Sequence, residues 1–596
     1  MGPVEQRQQK TFGPLTLLLL SILVGVIAGL GAVVFRGLIA LFHNLLFLGK
    51  FSVVYDANIH TPASPWGPFV ILVPVVGATG VAFLVKNFAP EAKGHGVPEV
   101  MDAIHYQKGA IRPVVAVIKS LASALSIGSG GSVGREGPII QIGSAFGSTV
   151  GQILRMRPYE RIIMIAAGAG GGIAATFNTP VGGMLFAVEL LLQEVSVKTL
   201  VPVAVSTVTA TYIGQIFFGA HPSFVIPAFE TPYFQTYSPI VLLTYVGLGG
   251  ITGLASTIFI RSIYFFEDYF ELRVKGGYYV RHLLGMSVVG AIIYLCMALF
   301  GHYYIEGVGY STIQEILSGM RIPLYLLLVI FLLKLLATSL TLGSGGSGGI
   351  FSPSLFLGAT IGGAYGLVLA GFFPQLPISP PAFAVAGMAG MVGGVTGAAM
   401  TSIVMIFEMT LDYSVVLPMT ITVALSYGIR KMLSRESIYT QKLARRGHAI
   451  PDSLRTSLIQ VKRAGNIMDT RFKIVPASLT LAELAGQGSL KDISVIYFLV
   501  EDEDGITGLV NRESALTSLK HRRETEKLGD IAKKDYLAVT ERTSVLRLFS
   551  RIFAHEISFV LVLSEGTKPS AGNVLGLITK ERLADFVTEA AEQFPP

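Results

Sequence analysis

Long apolar stretches separated by short polar turns dominate the first three quarters of the chain. The first covers residues 15–35 and continues past Arg36; others lie near 68–86, 112–127, 138–153, 161–195, 200–219, 238–262, 282–300, 322–340, 349–372, 381–411 and 413–429. Several fall short of the roughly 20 residues a full bilayer span requires. Others are interrupted, as at Asn178-Thr179-Pro180. Short and broken helices are tolerated at membrane depth only where they are buried in protein or line a cavity, so the pattern predicts a multi-span transporter or channel, not a simple anchor. The first stretch exceeds the roughly 7–15 apolar residues of a signal peptide and predicts a retained helix. Gln6 stands where a myristoylation signal needs Ser or Thr.

After about Leu443 the pattern changes. Arg445, Arg446, Arg455, Lys462 and Arg463 mark a polar linker, and two similar blocks follow. The first reads Lys473-Ile474-Val475, a helix near 479–484, the strand 495–500, then 508–511 leading into a helix. The second reads Leu537-Ala538-Val539, a helix near 545–553, the strand 558–563, then 576–579 and a final helix. Short strands alternating with helices predict a small soluble α/β module. The expected organisation is therefore a membrane domain over 1–445, a linker at 446–463, and repeat units at 464–527 and 528–590.

Composition sharpens this picture. Of 596 residues, 51% are hydrophobic and 14% charged, against about 25% charged in soluble domains. Between Arg161 and Arg261 the charges are Glu189, Glu194, Lys198 and Glu230, and residues 335–407 carry none. Basic residues gather at the N-terminus, in short turns and beyond Arg430. The net charge of +7 thus reflects membrane orientation rather than nucleic-acid binding, and the positive-inside tendency places the N-terminus in the cytoplasm. One cysteine, Cys296, forms no internal disulfide.

Within the membrane part, Gly128-Ser-Gly-Gly-Ser-Val-Gly134 reappears about 215 residues later as Gly343-Ser-Gly-Gly-Ser-Gly-Gly349. Each string precedes a predicted helix start, and each soon reaches a proline, Pro138 or Pro353. Paired motifs in two hydrophobic halves point to a duplicated transporter fold with its site where the halves meet. Glycines at a helix start leave backbone N–H groups uncovered, and the helix dipole adds partial positive charge. Two such starts make an anion site without a full positive charge at its centre, which suits an ion that must also leave. A phosphate-binding P-loop is excluded, because Gly134 is followed by Arg135-Glu136-Gly137 and not by Lys-Ser/Thr. Glu136 either caps its helix or, as a carboxylate in a membrane interior, serves function. In the second case it competes with the anion for the same donors and opens the path when it is protonated or swings aside.

Gly94-His95-Gly96-Val97-Pro98-Glu99, Gly134-Arg135-Glu136-Gly137-Pro138 and Gly349-Ile350-Phe351-Ser352-Pro353 resemble the three signature segments of the CLC chloride channels and transporters. Residues 178–189 and Glu408-Met409-Thr410 to Leu417-Pro418-Met419 agree with that family in order and spacing, and the similarity covers roughly 15–445. The carboxy-terminal repeat is similar to the paired CBS domains of many members. The resemblance implies an all-α multi-span fold with an inverted internal repeat and a C-terminal α/β CBS pair. It implies a homodimer with a pore in each subunit and a cytoplasmic C-terminal pair; one cysteine and short loops fit a cell (inner) membrane, with both termini then cytoplasmic. It makes Glu136 the gate. It assigns anion contacts to the amides of Ile350 and Phe351 at a central position, to Gly134, Arg135 and Gly137 at an outer one, and to the hydroxyl of Tyr439.

Two positions depart from the family pattern. His95 replaces the serine that contacts the central anion, and Leu190 occupies the place of an inner proton-relay glutamate, next to Glu189. An aliphatic side chain binds no proton, so the expectation leans to a passive, glutamate-gated chloride channel; the alternative is a chloride/proton exchanger whose inner proton path runs through water. A membrane-bound sensor with vestigial transport is a third reading, opposed by an intact Glu136, Phe351 and Tyr439. In the CBS pair the positions that contact a nucleotide ribose are Ser514 and Arg582, neither of them acidic, so no cofactor is expected. No metal-ligand cluster or nucleophile motif supports an enzyme.

Overall fold

The computed structural model describes residues 11–592 apart from 193–194, 227–238, 320–321, 449–462, 504, 522–523, 546–547, 549–550, 553–556 and 565–567. The chain divides into two compact units, Met1–Ile450 and Pro451–Pro596. Most of the expected linker, and much of the helix expected near 545–553, lies outside the described residues.

The first unit is helical. Its helices are α1 (Pro14–Leu48), α2 (Val73–Asn87), α3 (Val97–Tyr106), α4 (Val114–Gly128), α5 (Glu136–Ile153), α6 (Pro158–Phe177), α7 (Pro180–Phe186), α8 (Val197–Phe218), α9 (Pro239–Arg273) and α10 (Tyr278–Phe300). Then come α11 (Tyr310–Leu317), α12 (Leu324–Gly343), α13 (Phe351–Phe372), α14 (Pro380–Thr396), α15 (Ala399–Thr410), α16 (Val416–Leu433) and α17 (Ile438–Arg445). Seven helices among the described residues, α1, α2 with the turn before it, α8, α9, α10, α12 and α13, are long and apolar enough to cross a bilayer, while α4, α14 and α15 are apolar but shorter. Two long apolar stretches are divided, one at the interruption expected at Asn178-Thr179-Pro180 and one inside 381–411, which read as continuous. Asn178 turns left-handed at φ 60° and ends α6, and Gly397 does the same for α14 at φ 79°. Each break lets a short helix begin inside the protein, where its first amides need acceptors.

Those acceptors are supplied reciprocally. Glu408 on α15 accepts from the amides of Val181 (3.1 Å) and Gly182 (2.6 Å) at the start of α7. Glu189, just beyond α7, accepts from the amides of Met400 (3.2 Å) and Thr401 (2.8 Å) and from the Thr401 hydroxyl (2.7 Å) at the start of α15. Exchange of equivalent contacts in both directions is the mark of a two-fold relation, and it recurs through the unit. Ser132 in the first glycine string meets Thr338 on α12 at 3.2 Å, and Ser347 in the second meets Ser123 on α4 at 2.8 Å. Gly134 and Gly349 exchange both backbone hydrogen bonds, at 2.7 and 2.6 Å. Lys119 on α4 is fully buried and donates to the carbonyls of Ala92 (2.9 Å) and Gly94 (2.7 Å). Lys334 on α12 is equally buried and donates to those of Ile305 (3.0 Å) and Gly307 (2.8 Å). The duplication inferred from two glycine strings is therefore an inverted repeat that spans whole helices.

The second unit holds two three-stranded sheets of the same topology. In the first, β1 (Phe472–Pro476) pairs parallel with β2 (Tyr497–Asp502), which pairs antiparallel with β3 (Gly505–Asn511). In the second, β4 (Tyr536–Thr540), β5 (Phe559–Leu563) and β6 (Val574–Thr579) repeat that order. A register shift falls after Val500 in one and after Val562 in the other, so the weak sequence repeat is a structural one down to its bulge.

Replacing a carboxylate that caps a helix typically costs about 0.5–2 kcal/mol. Glu408→Ala is expected to lower the melting temperature of the detergent-solubilised protein by a few degrees, and Glu189→Ala by a similar amount, measured by thermal unfolding.

Candidate functional site

The two glycine strings close helices α4 and α12, and α5 and α13 begin just beyond them, at Glu136 and Phe351. The repeat makes these two residues equivalents. At Gly137 and Gly349 the backbones approach so closely that no side chain fits. A Cβ at Gly137 would run into the His95 carbonyl oxygen, and one at Gly349 would lie 2.7 Å from the Gly137 nitrogen. The first amides of each helix have no intrahelical acceptor and carry the positive end of the helix dipole.

Glu136 is buried, 1% exposed, and its carboxylate reaches across to the other repeat. Oε1 accepts from the Tyr310 hydroxyl at 2.5 Å and from the Ser352 hydroxyl, and Oε2 accepts from the Ser352 amide at 3.2 Å. The sequence reading gave it the uncovered amides at the helix starts, and only the Ser352 amide is one of these. The two hydroxyl donors, from α11 and α13, were not anticipated. Gly134, expected to contact an anion, donates its amide to the Gly349 carbonyl, so its part in this arrangement is to clamp the strings together. Arg135 also departs from a simple backbone role. Its guanidinium lies over the rings of Phe177 (5.2 Å) and Tyr310 (5.1 Å), with its Nε buried and unpartnered among the described residues.

Ile350 and Phe351 are buried, Ile350 just before α13 and Phe351 as its first residue. His95 and Tyr439 also converge: their rings are 6.0 Å apart, both residues are buried, and His95 Nδ1 has no hydrogen-bond partner among the described residues. An imidazole without a local partner can donate to an anion from one ring nitrogen. Leu190 lies in the short turn of π-helix Ala187–Leu191 after α7, and its neighbour Glu189 is committed to capping α15. The ammonium groups of Lys119 and Lys334 are turned to backbone carbonyls, so neither enters the site as a free charge. What results is a set of uncovered amides and a few hydroxyls around one acidic side chain, suited to holding either an anion or the carboxylate that displaces it.

The family model for the voltage gated chloride channel matches residues 77–431. The chain is 32% identical over 439 residues to the H(+)/Cl(−) exchange transporter ClcA of Yersinia pseudotuberculosis, covering 72% of this chain and 88% of that protein. It belongs to the voltage gated chloride channel family. Solved CLC structures share the fold. A slow cyanobacterial Cl−/H+ antiporter aligns with TM-score 0.63 at 24% identity, over 73% of this chain and 99% of that one. A eukaryotic CLC transporter aligns with TM-score 0.58 at 19% identity, over 95% and 98%. This CLC chain is a multi-pass membrane protein.

The sequence reading missed Tyr310 and Ser352. Ser352 lies within a quoted motif, but only the repeat alignment, which sets it opposite Gly137, marks it as unusual. Tyr310 follows Gly307-Val308-Gly309 as Val97 follows Gly94-His95-Gly96, and with only the two glycines shared the match is easily overlooked.

Overpacking between close backbones typically costs about 1–3 kcal/mol, and here it would push the two helix starts apart. Gly137→Ala is expected to reduce chloride uptake into proteoliposomes to below about a tenth of the parent, while Gly371→Ala, where nothing lies within 4 Å, retains it.

Proposed function

We propose that the protein exchanges chloride for protons across a cell membrane, with Glu136 as both gate and proton carrier. The observation that carries this reading is the docking of the buried Glu136 carboxylate on donors of the opposing repeat, where it occupies the place of an anion. Ionised, it blocks; protonated, it is a poorer partner for those donors and gives way to chloride. The amides at the starts of α5 and α13 and the His95 and Tyr439 side chains would receive the ion, with the central contacts at Ile350 and Phe351 and the outer ones at Arg135 and Gly137.

The similarity to ClcA supports the exchanger over the passive channel that Leu190 suggested. Leu190 then means that inner protons travel by water. The chain would act as a homodimer with cytoplasmic termini in an inner membrane, and its second unit as a CBS pair with a regulatory or assembly role and no bound nucleotide. His95, with its unpartnered Nδ1, would tune selectivity among chloride-like anions.

Purified protein in planar bilayers or liposomes, under a chloride gradient with an added pH gradient, tests this reading. The reversal potential is expected to follow the pH gradient, and Glu136→Ala to keep anion flux while losing that dependence. A potential indifferent to pH would restore the passive channel.

A further inference from the structure

The inverted repeat supplies a control within the molecule. Features inherited from the duplication occur twice, as do the buried lysines, the capping glutamates and the crossed hydroxyl pairs. The groups that hold Glu136 do not. The repeat counterpart of Ser352 is Gly137 and that of Tyr310 is Val97, so the first half has no hydroxyl at either place. Both hydroxyls lie on the half opposite the glutamate, and both converge on its Oε1. Their oxygens lie 2.8 Å apart, and with both protons given to Oε1 neither hydroxyl donates to the other.

Tyr310 is fixed for this task. Its residue is 2% exposed. Its ring packs edge-on to Phe224 (5.3 Å) and near Phe177 (6.4 Å), with the Arg135 guanidinium 5.1 Å from its centre. The loop before it is held by Lys334 through the Ile305 and Gly307 carbonyls. A hydroxyl on a ring held from several sides is preorganised, so little freedom is lost when it donates.

Resting on the gate reading above, we infer that Tyr310 and Ser352 form a hydroxyl latch that holds the Glu136 carboxylate in its blocking position. They are positioning residues: they act on the anion path through Glu136. A carboxylate accepts from both hydroxyls, whereas a carboxylic acid carries a proton of its own and presents fewer acceptor sites. The latch therefore favours the closed gate while Glu136 is ionised and makes its release depend on proton arrival, which keeps chloride from leaking past uncoupled.

The test is a double-mutant cycle, which isolates the coupling between two residues. Tyr310→Phe keeps the ring contacts and removes one charge-assisted hydrogen bond. In proteoliposomes it is expected to raise chloride flux about tenfold and to lower the number of protons moved per chloride, with Ser352→Ala changing both in the same direction. On a Glu136→Ala background the Tyr310→Phe flux ratio should collapse to within about twofold. The latch is overturned if the flux ratio is the same on both backgrounds, or if neither hydroxyl variant changes flux or coupling. Proton coupling that survives in Glu136→Ala alone overturns the gate reading itself, and the latch with it.

Discussion

Helix starts in a dry interior impose the constraint on which this molecule is built. A helix that begins inside a membrane protein exposes several N–H groups with no acceptor of its own, and an unsatisfied polar group there is costly. The fold begins α5, α7, α13 and α15 internally and answers the need in two ways. At α7 and α15 the answer is permanent, a glutamate from the opposite repeat. At α5 and α13 the proposed reading makes the acceptor exchangeable. The acidic side chain of Glu136 reaches one amide of α13, and the remaining donors suit a small anion. On the proposed reading the same physics gives a structural cap in one layer and a transport site in the next, and the difference is whether the capping carboxylate can leave.

The two-fold relation between repeats explains how such a site is positioned. Lys119 and Lys334 pin the loops that present His95 and Tyr310, and the crossed pairs Ser132–Thr338 and Ser347–Ser123 join each glycine string to the helix before the other. The scaffold is symmetric while the chemistry is not: glutamate faces phenylalanine at the two helix starts, and hydroxyls stand on one side only. An ion path needs two distinguishable ends, and asymmetric side chains on a symmetric frame supply them.

Much of the architecture was legible in the sequence. Charge-free stretches showed the membrane, twin glycine strings showed the duplication, and the carboxy-terminal strands 472–476, 497–502 and 505–511 fell within a few residues of expectation. Glu189 stood out in the sequence only as the neighbour of Leu190, and its capping of α15 came from the structure. The break at Asn178-Thr179-Pro180 was marked by its proline, whereas the one at Gly397 depends on a left-handed turn inside an otherwise apolar run, which periodicity does not register. The latch around Glu136 was invisible for a different reason: its members lie about 40 to 215 residues apart in the chain, and their identity matters only once the repeats are superposed. Gly134 shows the converse. Its motif is plain, but its amide closes the contact with Gly349 and is not offered to a ligand.

The central claim is that uncovered amides from two related helix starts converge on one place that an anion and the Glu136 carboxylate occupy in turn. Anomalous diffraction from crystals of Glu136→Gln grown in bromide addresses it most directly. A bromide peak between the starts of α5 and α13, within hydrogen-bond distance of the amides near Phe351 or Gly137, is the expected result. Bromide bound elsewhere in the protein, with none at that junction, would contradict the account.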